Sequence, residues 1–184
     1  MSALGYDTTP PCTPPTITTQ PTSQTVCQNT PLTLSVAATS VNGAITYQWT
    51  KGGSNIAGAT SSTYTVASAA TGDAGSYACV VTDSCTPVTS NSATVSVLLQ
   101  PAFTTQPSNR TVCAGTNATF TVAANGSPGF QWRKNGTDIS GATSTSYTVV
   151  SPTLADAGNY DCVATNFCNT VVSNTAVLAV NVTP

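Results

Sequence analysis

Along most of the chain, apolar and polar residues alternate one by one, without the three-and-four spacing of a helix face. That period puts successive side chains on opposite faces of an extended strand and predicts β-structure throughout. Leu32, Leu34 and Val36 face one way in the first clear run. Tyr47 and Trp49, Tyr64 and Val66, then Tyr77, Cys79 and Val81, and finally Ala93, Val95 and Val97 follow. The series then starts again with Ala118, Phe120 and Val122, Phe130 and Trp132, Tyr147 and Val149, Tyr160, Cys162 and Ala164, and Ala176, Leu178 and Val180. After each tryptophan strand stands a hairpin signal, Gly52-Gly53 in the first series and Asn135-Gly136 in the second. The latter is the favoured pair for a two-residue type I′ turn.

The restart is a duplication. Thr18-Thr-Gln-Pro21 returns as Thr104-Thr-Gln-Pro107, Thr25-Val-Cys27 as Thr111-Val-Cys113, and Ser90-Asn91 as Ser173-Asn174. The offset is 86 before the tryptophans and 83 after them, so the second copy is three residues shorter in a loop. Each copy holds a full set of strands, which predicts two beads in tandem rather than a solenoid. The boundaries expected are a Pro-rich leader over 1–15, a first domain over 16–99, a short linker at 100–102 and a second domain over 103–184. The leader carries Pro10, Pro11, Pro14 and Pro15 and is expected to be extended.

The stretch that organises each bead is Asp73-Ala-Gly-Ser-Tyr-Ala-Cys79, repeated as Asp156-Ala-Gly-Asn-Tyr-Asp-Cys162. Trp49 and Trp132 each stand 30 residues before the cysteine. A tyrosine two residues before a buried cysteine, with a lone upstream tryptophan, resembles the tyrosine corner of the immunoglobulin superfamily, near its I-set type. The resemblance covers both domains and implies an all-β fold of two tandem immunoglobulin-like β-sandwiches, with sheets crossing at roughly 30°. It makes Trp49, Trp132, Tyr77 and Tyr160 core and corner residues. In that family the strand F cysteine faces a cysteine on strand B. Here Val36 and Val122 stand in that place, so Cys79 and Cys162 are expected to be buried thiols packed as small hydrophobes. Gln-Thr-Val-Cys27, Tyr-Gln-Trp49 and Gly-Ala-Thr60 also resemble repeats of secreted and cell-surface proteins of Bacteroidota-like bacteria. That likeness implies adhesion, spacing or fibre formation, and no catalysis.

Composition narrows the chemistry. Charged residues are 5 % of the chain, with net charge −2 and no histidine, and all six acids are Asp. No basic footprint for nucleic acid exists, and no apolar run is long enough to span a membrane. Triads and paired-carboxylate devices that need His or Glu are unavailable, so no enzyme, catalytic residue, cofactor or metal site is expected. Asp73 and Asp156 belong to the corners, and Asp138 and Asp161 read as single surface acids. The Cys-x5-Cys spacing of Cys79/Cys85 and Cys162/Cys168 is not that of a zinc pair. Sequons at Asn109, Asn117, Asn125, Asn135 and Asn181 read as products of Asn/Thr-rich loops in a bacterial protein and as glycan sites in a eukaryotic secreted one. Tyr6, Phe103 and Phe167 are the aromatics not assigned to a core strand. The opening Met1-Ser-Ala-Leu lacks the marks of a signal peptide, which suggests a trimmed precursor or an artificial start. The C-terminal Asn-Val-Thr-Pro184 resembles another linker.

Seven cysteines in this architecture point to an oxidising, extracellular or cell-surface setting. Pairing Cys27 with Cys85, and Cys113 with Cys168, inside each bead meets a geometric objection. The first of each pair closes the first strand at one end of the sandwich, and the second lies past the strand that carries Cys79 or Cys162, at the other end. Six strand residues span about 20 Å. The expectation is instead Cys27 with Cys168 across the junction and Cys12 with Cys85, leaving Cys113 for an adjoining repeat or another copy. Intradomain pairing in a sandwich with a displaced first strand is the rival.

The function expected is a non-enzymatic structural module of a surface fibre, stalk or adhesin, self-associating into filaments, with further copies or adjoining repeats as partners. The alternatives are a module binding a surface glycan or a protein, or spacer domains of a larger secreted enzyme.

Overall fold

A computed structural model describes residues 12–182. The leader before Cys12, with Tyr6, lies outside the described residues. The chain divides between Val97 and Leu98 into two compact units. The first contains β1 (Thr16–Thr19), β2 (Gln24–Cys27), β3 (Leu32–Ser35), β4 (Ala37–Thr39), β5 (Thr46–Lys51), β6 (Ser54–Asn55), β7 (Thr63–Val66), β8 (Gly75–Thr82), β9 (Val88–Thr89) and β10 (Ala93–Leu98). The second repeats the set as β11 (Ala102–Thr105), β12 (Arg110–Cys113), β13 (Ala118–Thr121), β14 (Ala123–Asn125), β15 (Gly129–Lys134), β16 (Thr137–Asp138), β17 (Ser146–Val149), β18 (Gly158–Thr165), β19 (Thr170–Val172) and β20 (Ala176–Asn181).

In the first unit the larger sheet runs β2-β10-β8-β5-β6, with β9 also on β8. Facing it, β1 pairs with β4 and β3 with β7. The second unit has the same order, β12-β20-β18-β15-β16, with β11 on β14 and β13 on β17. The first strand of each unit is thus split. Its opening half joins one sheet and its second half the other, and β12 runs parallel to β20 with Cys113 opposite Asn181.

The alternation read from the sequence becomes the core. Leu32, Leu34, Trp49, Tyr77, Cys79, Val81, Ala93 and Val95 are at most 2 % exposed and form one cluster. Ala118, Phe120, Trp132, Tyr160, Cys162, Ala176 and Leu178 form the other. Tryptophan and cysteine are register partners on adjacent central strands, Trp49 opposite Cys79 and Trp132 opposite Cys162. Val36 and Val122 fall at a break between two short strands, and their amides bond to Ser62 O at 3.0 Å and Thr145 O at 2.8 Å. Both valines are buried in the cluster that holds the cysteine. The hairpins follow the turn chemistry. Gly52 and Gly53 have φ of 55° and 83°, Asn135 and Gly136 of 51° and 80°, the left-handed pair that a type I′ turn requires.

Candidate functional site

The repeated motif builds the same corner twice. A single 3₁₀ turn, Thr71–Asp73 or Leu154–Asp156, precedes the central strand. The Tyr77 hydroxyl donates to Asp73 O at 2.7 Å, and Tyr160 to Asp156 O at 2.8 Å. The aspartate carboxylates turn the other way and accept from the amides of Ala70 and Thr153, both at 2.8 Å. Bonds from the Thr153 amide and hydroxyl hold the Asp156 carboxyl below the usual carboxylate range. The glycine between corner and strand has φ of 153° at Gly75 and 151° at Gly158, which L side chains rarely adopt. A Cβ there would also stand 2.9 Å from the Lys51 side chain or 2.8 Å from that of Asn135. Asp, Gly and Tyr of the motif are therefore all used by the turn.

Other repeated residues bond just as internally. Each tryptophan Nε1 donates to a loop carbonyl, Ser61 O or Ser144 O, at 2.9 Å. Gln48 and Gln131 reach back to the carbonyls of Ile56 and Ile139 at 2.8 and 2.7 Å. The Ser-Asn repeat has a role that the pattern of strands did not reveal. Buried Ser90 and Ser173 accept from the amides of Cys79 and Cys162 at 2.9 Å. The next amides, Asn91 and Asn174, donate to Gln20 and Gln106 at 2.8 Å. This explains why Thr-Thr-Gln-Pro and Ser-Asn recur together: each glutamine ties the first strand to the last. Their joint repetition was the available signal.

The cysteines separate into three kinds. Cys79 and Cys162 have no exposure and carry free thiols. Burial pushes both thiols up, Cys162 to about 11. Cys12 and Cys85 form a disulfide with Cα atoms 5.7 Å apart, joining the segment before β1 to the loop after β8. Cys113 is a free, exposed thiol at the end of β12. The loop after the central strand presents its cysteine identically in both units. Asp83 Oδ1 accepts from the Cys85 amide at 2.7 Å, and Asn166 Oδ1 from the Cys168 amide at 2.8 Å. The Ser40 hydroxyl, first among its partners, holds the Asp83 carboxyl low. Asn166 also donates to Leu99 O and Gly126 O at 2.7 and 2.8 Å, and Cys168 Sγ lies 3.7 Å from Leu98 O.

Two surface assignments need correction. Phe103 is a core-side residue, not a free aromatic: in β11 it is registered with Ala124 and packs on the second cluster. Asp161 is not a single acid. The register of β15 and β18 puts it opposite Arg133, which makes a bidentate pair at 2.7 and 3.1 Å, and its carboxylate raises the arginine pKa. Asp138 is exposed at the edge strand β16, and Phe167 is 73 % exposed beside Cys168. A groove of about 400 Å³ along β12 and β13 includes Asn109, Arg110, Asn117 and Thr119, without an aromatic wall, and Arg110 Nε is bound to Thr119 O. Among the described residues no three His, Cys, Asp or Glu side chains form a metal-sized group. No described helix is long and apolar enough to cross a membrane.

Two sandwiches, each with a split first strand, a tyrosine corner and a tryptophan–cysteine pair on the central strands, define a tandem immunoglobulin-type protein. The immunoglobulin domain family model matches residues 14–83 and 100–166, and the chain belongs to that family. It is 46 % identical over 93 residues to the decoration protein of Escherichia phage T5, covering 50 % of this chain and 56 % of that protein. It is 33 % identical over 105 residues to human contactin-6, covering 50 % of this chain and 10 % of that one. The chain thus spans little more than half the length of the first relative and a tenth of the second. Among solved structures, titin I-band fragment I67–I69 matches 91 % of this chain and 66 % of its own, with TM-score 0.72 and 21 % identity. The N-terminal four immunoglobulin domains of Dscam1 match 87 % of this chain and 43 % of their own, with TM-score 0.64 and 23 % identity.

Proposed function

We propose that the chain is a non-enzymatic structural module displayed outside the cell or on a particle surface, where its beads space, stiffen or decorate. One observation carries this reading. The residues the two beads share make the same internal bonds in each: corner, tryptophan carbonyl contact, serine bracket and glutamine tie. What is duplicated is a scaffold. Residues that differ between the beads include buried ones, such as Leu34 against Phe120, together with those on sheet faces and in loops, where a recognition or catalytic site would have to be carried. The likeness to a phage decoration protein supports a surface role. So does the disulfide, which persists in oxidising surroundings. The resemblance of its motifs to repeats of bacterial surface proteins, an expectation from the sequence, belongs to the same reading.

Copies of the module self-associate. Each smaller sheet ends on β7 or β17, short strands of Thr, Ser, Tyr and Val without a charge to guard the open edge. Immunogold labelling of intact source particles or cells tests the location. Label on the outer surface is expected, and exclusively internal label overturns the reading. Light scattering over a concentration series tests the assembly, with growth expected and a strict monomer at every concentration against it.

A further inference from the structure

We infer that β7 and β17 each pair antiparallel with β7 or β17 of a second copy, in a register centred on Tyr64 and Tyr147. The inference rests on the self-association proposed above and names the backbone groups that carry it. Along an antiparallel pair, residues that bond to the partner strand alternate with residues whose N–H and C=O both turn away from it. Leu32, Thr33, Leu34 and Ser35 of β3 lie opposite Val66, Thr65, Tyr64 and Thr63 of β7. The next pair in that register is Val36 with Ser62, and the Val36 amide donates to Ser62 O at 3.0 Å. Counting on by twos, Tyr64 and Val66 bond toward β3, whereas Thr63 and Thr65 direct both backbone groups to the open side. In the second unit Val122 donates to Thr145 O at 2.8 Å, so Ser146 and Thr148 turn outward in the same way. The Oγ1 atoms of Thr119 and Thr148 lie 2.9 Å apart, the close side-chain approach of a pair that exchanges no backbone bonds. Among the described residues no backbone group bonds to these four outward residues.

Other edges are guarded. On the far side of β3 and β13 the outward carbonyls are Thr33 O and Thr119 O. Gln24 Nε2 donates to the first at 2.7 Å, and Arg110 Nε to the second at 2.9 Å. Gln24 and Arg110 are repeat equivalents, so both beads cap this side with a long side chain. β1 and β11 each carry a register shift, which bends an edge away from a partner. β6 and β16 are two residues long, and β16 bears Asp138. β7 and β17 have four residues each, with no charge and no proline. Beside β7 lies a groove of about 230 Å³ lined by residues 57–61 and 63–65.

The open edges are complementary to themselves, which makes a second copy the partner. Each presents two residues, two apart, with a donor and an acceptor on both. A two-fold axis at Tyr64 brings Thr63 against Thr65 of the second copy and Thr65 against its Thr63, and each pair exchanges two backbone bonds. Ser146 and Thr148 have the same spacing about Tyr147, so either edge fits either. All four side chains are exposed, and in this register they stand directly beside one another across the new pair. Two such edges per chain allow growth beyond a dimer.

The register is tested by charge. Light scattering over a concentration series compares the unaltered full chain with two variants. The first carries Thr63→Lys, Thr65→Lys, Ser146→Lys and Thr148→Lys, which set lysine opposite lysine across every inferred pair and are expected to abolish growth. The second carries Thr63→Glu, Thr65→Lys, Ser146→Glu and Thr148→Lys, which set glutamate opposite lysine and are expected to retain it. Tryptophan fluorescence melts establish that both variants fold. Should four lysines unfold a bead, Thr65→Lys with Thr148→Lys repeats the test: the onset of growth is expected to move to higher concentration, and an unmoved onset overturns the inference. Growth of the four-lysine variant, or loss of growth in both four-site variants, overturns the register and leaves self-association standing. An unaltered chain that stays monomeric overturns self-association itself, and the inference with it.

Discussion

The two beads share a skeleton and differ in how they fill it. Where the first has Leu34 against a Tyr64–Tyr77 stack, the second has Phe120, with ring centroids 4.9 Å from Tyr160 and 6.0 Å from Trp132. One position past each tryptophan, the first has Thr50, nearly buried and bonded to Ala78 O at 3.2 Å, and the second has Arg133 clasping Asp161. Yet the corner, the tryptophan bond and the serine bracket match within 0.1 Å. The comparison teaches that polar bonds to backbone define this architecture, while the aromatic content of the core and the charges on the sheet are free to vary.

The largest test asks whether the beads fail separately. Trp49→Ala and Trp132→Ala each remove a fully buried indole and should cost about 3–5 kcal/mol. Calorimetry should show one early transition, from the mutated bead, and one near its original temperature.

Alkaline pH should separate the beads next. A thiol whose pKa is raised by folding contributes stability that is complete below its unfolded value, about 8.5, and is lost as pH rises through its folded value. For Cys162, raised to about 11, the loss across pH 9 to 11 is on the order of 3 kcal/mol. Tyr160, raised to about 12 by burial, adds to it at the upper end. Melts between pH 8 and 11 should therefore lower the second bead first. Loss from the first bead first would reverse the assignment.

Tyr77→Phe and Tyr160→Phe should cost about 1 kcal/mol each, and equally, because the corner bond is common to both beads. Unequal losses in denaturant titrations would show that core packing reaches into the corner. The smallest effect is electrostatic. Asp161→Asn should cost up to about 1 kcal/mol, partly recovered in salt, whereas exposed Asp138→Asn should fall within about 0.5 kcal/mol.

The strands and the corners were legible because each is written locally, in a period of two or a motif of seven residues, and the tryptophan and cysteine, 30 residues apart, stood out only because their spacing is repeated. Phe103 was missed because β11 is short, and only its pairing with β14 shows which side its ring takes. The Arg133–Asp161 pair joins residues 28 apart, so it depends on a register that local pattern does not state. The Ser90 and Ser173 brackets were hidden for a related reason: a buried serine looks like any other hydroxyl until its cysteine amide partner is known.

The bond between Cys12 and Cys85 also determines how the first bead meets a mechanical pull. Tension arriving through the residues ahead of Cys12 does not peel β1 from β4. It crosses the sulfur bridge and enters beside β8, the most central strand of the larger sheet. The bridge encloses a sequence separation of 73 residues, which as free chain would extend by about 250 Å. While the bridge is intact that length cannot be drawn out, even from a melted bead, so reduction acts as the release of an otherwise inextensible tether.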